Sequence, residues 1–156
     1  MFVVRPAKIK DLPEVAKMRL ELSKYHEAFD DDFKVNKKAK KYYINLYKKY
    51  IYSNKKKLLV IENEDKLIGF GSALIMKKEP ISRDKEYAHI RDMYISKKFR
   101  RQGLAGEILN IFYKWFKERK IKYIDLKVIH ANELGRRAWT KHGFKDYAII
   151  KRKFLK

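Results

Sequence analysis

The sequence predicts a domain of the α+β or α/β class with a mixed sheet. Three observations carry that expectation. Runs with strand character alternate with runs that repeat their apolar residues every three or four positions, in the order strand, two helices, three strands, helix, strand, helix, strand. A four-residue polar turn, Asn63-Glu64-Asp65-Lys66, joins two of the strands as a hairpin and so demands antiparallel pairing. The length, 156 residues, suits one domain over residues 1–156 with a core of its own, since domains most often run about 100–150 residues.

The elements follow in chain order. "FVVRPA" reads as an opening strand. Asp11 is the expected N-cap of the first helix, with Pro13 in its first turn and Glu14 completing a capping box. Leu12, Val15, Met18, Leu22 and Tyr25 then fall on one face. "DDDFKVN" interrupts that pattern, and a second helix over about Lys37–Ser53 carries Tyr43, Leu46, Tyr47 and Tyr50 on its apolar side. "KLLVIEN" and "KLIGFGSALIMKK" form the hairpin. A polar loop near Glu79–Lys85 leads to a fourth strand, Tyr87–Ile95. Leu104, Ile108, Ile111, Phe112, Trp115 and Phe116 stripe a helix over about Leu104–Arg119. "KYIDLKVI" is a further strand, "NELGRRAWTKHG" a short helix ended by Gly143, and "YAIIKRKF" a closing strand.

Composition narrows the function. There are no cysteines, which removes disulfides, thiolate metal sites and cysteine nucleophiles together. No apolar run approaches the ~20 residues of a membrane span, and "MFVVRPAKIKDL" lacks a signal-peptide core, so a cytoplasmic protein is expected. Lys and Arg number 40 against 19 Asp and Glu, a net charge of +21. Such an excess attracts nucleic acid or phosphorylated ligands, but it is equally the mark of a solvated lysine-rich surface, being spread along the whole chain.

The stretch "FRRQGLAGEIL", Phe99–Leu109, concentrates the chemistry. Gly103 and Gly106 are two of only 6 glycines in the chain. A strand that enters a helix through such a turn aims unpaired backbone N–H groups at one point, where the helix dipole also favours an anion. Arg100 and Arg101 add donors suited to phosphate oxygens. The GxxxxGK[ST] and GxGxxG phosphate motifs are both absent. The residues alone leave two readings open: a phosphate cradle, or a tight turn with solvated arginines.

Arg100-Arg101-Gln102-Gly103-Leu104-Ala105 resembles the R/Q-x-x-G-x-G/A signature of the GCN5-related N-acetyltransferase (GNAT) family, which cradles the pyrophosphate of acetyl-coenzyme A. "IRDMYIS" before it is similar to the acidic-apolar run that enters the loop in that family. Asn132, Gly135, Trp139, Gly143 and Phe144 resemble its second half, N-x-x-(A/G)-x-x-x-aromatic-x-x-x-G-F, with every spacing kept. The order of elements matches too. The resemblance implies a mostly antiparallel central sheet flanked by helices, with acetyl-CoA between two splayed strands, here Tyr87–Ile95 and Tyr123–Ile129.

It also implies roles. Backbone groups of Met93 and Ile95 would pair with the pantetheine arm. Arg100, Arg101, Gln102, Gly103, Leu104, Ala105 and Gly106 would hold the pyrophosphate. Asn132 would bond the pantetheine or orient its loop, and Trp139 would pack on the cofactor arm. Two departures stand out. Trp139 occupies the place where many members carry a tyrosine acid, and an indole N–H is no useful acid. Arg91 occupies the place of a glutamate base, and neighbouring Asp92 is expected on the other side of the pleat. The base is thus unassigned, with Asp92, His89, His130 and Tyr94 as candidates.

The reaction the resemblance implies is direct acetyl transfer from acetyl-CoA to a primary amine, without a metal or a covalent intermediate. Tyr25, His26 and Phe33, beside Asp30, Asp31 and Asp32, are the expected acceptor-binding segment. The acids either attract a cationic amine or form a solvated loop. A protein amino-group acceptor, and a basic nucleic-acid-binding protein that keeps the fold without catalysis, are the competing readings. The resemblance also admits a homodimer.

Overall fold

In a computed structural model, which describes residues 1–155, five strands form one sheet in the order β1-β2-β3-β4-β5. They are β1 (Phe2–Pro6), β2 (Lys56–Asn63), β3 (Lys66–Lys77), β4 (Glu86–Ile95) and β5 (Ile124–Asp125). The first four pair antiparallel, and β5 joins β4 in parallel. The helices are α1 (Leu12–Glu27), α2 (Ala39–Ile51), α3 (Leu104–Glu118) and α4 (Glu133–Lys141). The expected mixed, mostly antiparallel sheet is therefore present. Among the described residues no helix is long and apolar enough to cross a membrane.

Two apolar layers sandwich the sheet. On one face Leu12, Val15 and Met18 of α1 and Tyr43, Tyr47 and Tyr50 of α2 pack on Val60, Phe70 and Tyr94. On the other, Leu104, Ile108, Phe112, Trp115 and Phe116 of α3 cover Ile61, Ala73, Ala88 and Ile90. These are the stripes read from the helical periods. The hairpin also forms: Glu64 and Asp65 take positive φ of 49° and 61°, the twist that a two-residue turn needs to follow the strands.

Three expectations are corrected. Asp11 sits at the N-cap position of α1 but makes no capping bond to it. Its carboxylate instead accepts from Arg5 Nη1 and from the Lys8 backbone N–H, each at 2.7 Å, because a buried carboxylate gains more from a guanidinium than from one amide. The strand expected over Tyr123–Ile129 shrinks to two residues, for it meets β4 only at Ala88 and His89 and then loses its partner. "YAIIKRKF" forms no strand. A strand needs an edge to pair with, and this tail runs exposed, with Arg152 drawn to Asp30 at 2.8 Å and Asp32 at 3.2 Å.

Asp11 carries a pH prediction. Burial opposes its ionisation, yet the Arg5 hydrogen bond and charge, with the Lys8 N–H, hold its pKa below the ordinary value. A carboxyl depressed in the folded state stabilises fully above its unfolded pKa of about 3.9 and loses that contribution as pH falls through the folded value. Asp11→Asn should lower stability at pH 7 by about 1.5–3 kcal/mol, the range for hydrogen bonds to charged groups. Urea unfolding at a series of pH values should show a shallower acid limb in the variant; an unchanged limb would contradict this role.

Candidate active site

A bulge in β4 sets the site. Ser72 pairs with Asp92 and Ala73 with Ile90, so Arg91 is an extra residue without an opposite number. Ala88 and Ile90 face α3, whereas Tyr94, beyond the bulge, faces α1 and α2. Asp92 turns the same way. It lies 5% exposed, with Arg19 Nε 2.8 Å from Oδ1, and accepts from Tyr47 Oη at 2.8 Å and Ser72 Oγ at 3.0 Å. The Arg19 contact is an ion pair by distance, since the Nε–H does not point along it. Simple alternation, which put Arg91 and Asp92 on opposite sides, is overridden: the Arg91 Nε stands 3.5 Å from Asp92. Neither Arg19 nor Tyr47 was singled out from the sequence. Tyr47 is one of a stripe of tyrosines, and the periodicity carries no information about what its hydroxyl reaches.

Past the bulge the sheet opens. The β4–β5 ladder holds only Ala88 with Ile124 and His89 with Asp125. From Arg91 to Ile95 the edge of β4 facing β5 is thus free of a ladder partner. Met93 and Ile95 lie on this free stretch and lean towards α3.

At its end the chain turns into α3. Arg101 and Gly103 both adopt positive φ, 64° and 80°, flanking Gln102. Left-handed steps of this kind are the ones that aim successive N–H groups to a common side in anion-binding nests. Gly103 is the N-cap of α3 with no side chain to cap it, and the first amides of the helix, from Leu104 to Gly106, are the orphans of its N-terminus. A Cβ on Gly103 would find no heavy atom within 4 Å, so the space before the turn is open. Arg100 folds back, its Nε donating to Ile95 O at 2.8 Å, and so ties the turn to the strand end. Arg101 and Gln102 stand exposed at the rim.

Asn132 joins the start of α4 to the expected acceptor segment. It is 5% exposed and caps α4, its Oδ1 accepting from Gly135 N at 3.0 Å and from Tyr25 Oη at 3.1 Å. A Cβ on Gly135 would lie 2.5 Å from Asn132 Nδ2, so the cap requires glycine there. Tyr25 in turn touches His26, and His26 meets Phe33 edge-on at a centroid distance of 5.0 Å. The three expected acceptor residues are therefore one aromatic wall. Burial, then the charge of Arg19, push the His26 pKa down, although Asp92 opposes this. Its buried Nδ1 has no hydrogen-bond partner.

The remaining candidates separate. Tyr94 is buried, its ring stacked on Phe70 and its hydroxyl bonded to Glu21. His89 sits at the closed end of the β4–β5 junction, its pKa lowered by burial and then by Lys127. His130 is exposed beyond β5. Trp139 packs edge-to-face on Phe144 at 5.4 Å within the layer under α3. Gly106 lies on the side of α3 that faces His142.

The comparisons with known proteins agree with this fold. The family model described as Acetyltransferase (GNAT) family matches residues 22–144. No curated protein sequence matches the chain. Among solved structures, a tetramutant of the BH1408 protein from Bacillus halodurans superposes with a TM-score of 0.87 at 19% identity, over 98% of this chain and 99% of that one. A predicted acetyltransferase from Clostridium acetobutylicum, solved with acetyl-CoA, gives 0.78 at 22% identity, over 99% and 97%. An aminoglycoside N-acetyltransferase in complex with CoA gives 0.77 at 14% identity, over 99% and 96%. At these identities the likeness to solved structures is one of fold.

Proposed function

Because this chain belongs to the GNAT acetyltransferase family, we propose that it moves the acetyl group of acetyl-CoA directly to a primary amine of a small, cationic molecule. One observation supports the reading above the rest: the nest at Arg101–Gly103 opens beside the unpaired edge of β4. A pyrophosphate on the nest and a pantetheine arm along Met93 and Ile95 would use both features of one continuous surface. The residues present fit acetyl-CoA in chemistry, since the turn offers amide donors and two arginines and the strand edge offers amide-like pairing. The bound thioester would supply the acyl group.

The chain's own groups would do the rest. A backbone N–H at the free edge of β4 polarises the thioester carbonyl, and the aromatic wall of Tyr25, His26 and Phe33 holds the amine against it. Asp30 and Asp32 beside that wall are paired with Arg152, so a cationic acceptor would use them by displacing its guanidinium. Asp92 has both oxygens engaged by neighbours, so it fits the role of a positioning residue better than that of a free base. His26 fits proton removal: it is part of the wall, and its lowered pKa keeps it neutral near pH 7.

The test is release of free thiol from acetyl-CoA across a panel of polyamines, aminoglycosides and peptides. Turnover confined to small amines supports the proposal, turnover of peptides alone would shift it to a protein acceptor, and no release with any amine would refute catalysis.

Trp139 yields a sharper expectation. Its edge-on contact with Phe144 accounts for its place without chemistry. A thiol pKa near 8.5 makes thiolate a tolerable leaving group without an acid. Trp139→Phe should keep turnover within about tenfold, below the 10²–10⁴ typical of a lost general acid. The pH–rate profiles of both proteins should rise together with deprotonation of the amine. A thousandfold loss with CoA affinity and melting temperature unchanged would give the indole a chemical role.

A further inference from the structure

At the far end of α3 from the nest lies a second feature that acetyl transfer does not use. The end of β3, the loop before β4 and the turn after α3 enclose a cleft of about 420 Å³. Lys77, Lys78, Arg83, Lys85, Arg119 and Lys120 line it. Its acids are already neutralised: Asp84 pairs with Lys122 at 2.7 Å and Glu86 with Lys55 at 2.5 Å. Six cations thus line one concavity without a carboxylate left to balance them, Lys85 and Arg119 donating only to the Pro80 and Asn54 carbonyls. Such clustering focuses a positive potential that a polyanion relieves. A 15-residue helix spans about 22 Å, so this cleft is well separated from the pyrophosphate nest.

Beside the lysines stands an aromatic platform. Tyr123, 40% exposed, stacks on Tyr87 at 5.7 Å with the rings 17° from parallel. The Lys78 ammonium lies 5.1 Å from the Tyr123 ring centroid. We propose that this cleft binds a single-stranded nucleic acid, its lysines and arginines tracking the phosphates while a base stacks at Tyr123. A half-exposed tyrosine covered on one side only by a lysine ammonium suits unpaired bases, which can displace that side chain and reach a ring that a duplex cannot. An acidic polypeptide would use the cations but leave the tyrosine idle.

The experiment is fluorescence anisotropy of the full-length protein with a labelled oligothymidylate of about 16 nucleotides, one site at the upper end of the usual range. Arg83→Glu with Lys120→Glu should weaken binding at least tenfold more than Lys40→Glu with Lys41→Glu, an equal charge change on exposed positions of α2. The cleft variant should also flatten the dependence of log K on log salt, by about 0.7 per lost phosphate contact on a single strand. Tyr123→Ala should cost roughly tenfold for the oligonucleotide, within the range for a lost base stack. The same variant should cost polyglutamate nothing. Saturating CoA should leave the affinity unchanged. Equal losses in both charge-reversed pairs would overturn the proposal in favour of diffuse charge. Displacement by CoA would move the ligand to the nest. Equal binding of a duplex, or of polyglutamate with the same losses, would show that no base is read.

Discussion

Gly103→Glu should abolish coenzyme A binding while the protein remains folded. The two halves of that expectation rest on different observations. Nothing lies within 4 Å of where its Cβ would be, so the side chain meets no clash. The backbone there has φ of 80°, and a non-glycine residue in that region costs roughly 1–2 kcal/mol. That is affordable against the 5–15 kcal/mol of a typical domain. The carboxylate, however, would project from the N-cap of α3 into the nest. There it would accept from the amides meant for the pyrophosphate and repel what remains of the anion. Titration calorimetry should show a loss of at least a hundredfold, and Gly103→Asn, which tolerates the left-handed region, should lose far less. Arg100→Ala should only weaken binding, because its guanidinium is already engaged with Ile95 O. Unchanged affinity in Gly103→Glu would refute the cradle.

Asp92→Ala should be the most destabilising single change near the site. Its carboxylate accepts from Tyr47 and Ser72 and faces Arg19, whose side chain is 12% exposed. Removing it leaves a buried guanidinium without an anion and two hydroxyls without an acceptor. Breaking a buried pair in this way costs about 3–5 kcal/mol, or roughly 6–20 °C in melting temperature for a chain of this size. Asp92→Asn should lose less, since its amide oxygen still accepts from a hydroxyl. Urea unfolding of the two variants measures the difference. A loss below about 1 kcal/mol in Asp92→Ala would mean that the cluster contributes little to holding α1 and α2 on β4.

What the sequence could and could not convey follows from the reach of each signal. Helical faces and the Glu64-Asp65 hairpin were legible because they depend on residues a few positions apart. Leu104, Ile108, Phe112 and Trp115 lie on one side of any helix, whatever covers them. The turn into α3 was legible for the same reason, since Gly103 and its neighbours are consecutive residues. Asn132, Tyr25, His26 and Phe33 were named separately, but their meeting, a bond across 107 positions from Tyr25 to Asn132, exists only in the folded chain.

Tertiary structure alone decided the rest. Strand alternation assumes an unbroken ladder, and the extra residue at Arg91 breaks it, turning Asp92 towards Arg19 and Tyr47 instead of α3. The strand pattern of "YAIIKRKF" states a preference for extended backbone, yet a strand exists only where an edge accepts its hydrogen bonds. β5 ends after Asp125, and Arg152 is held by Asp30 and Asp32. The +21 charge was visible from composition, but the gathering of six cations around one cleft exists only in the folded chain. Local chemistry thus determined the helices, the hairpin and the glycine turn into α3. Register and long-range pairing, which no local pattern encodes, decided what faces what.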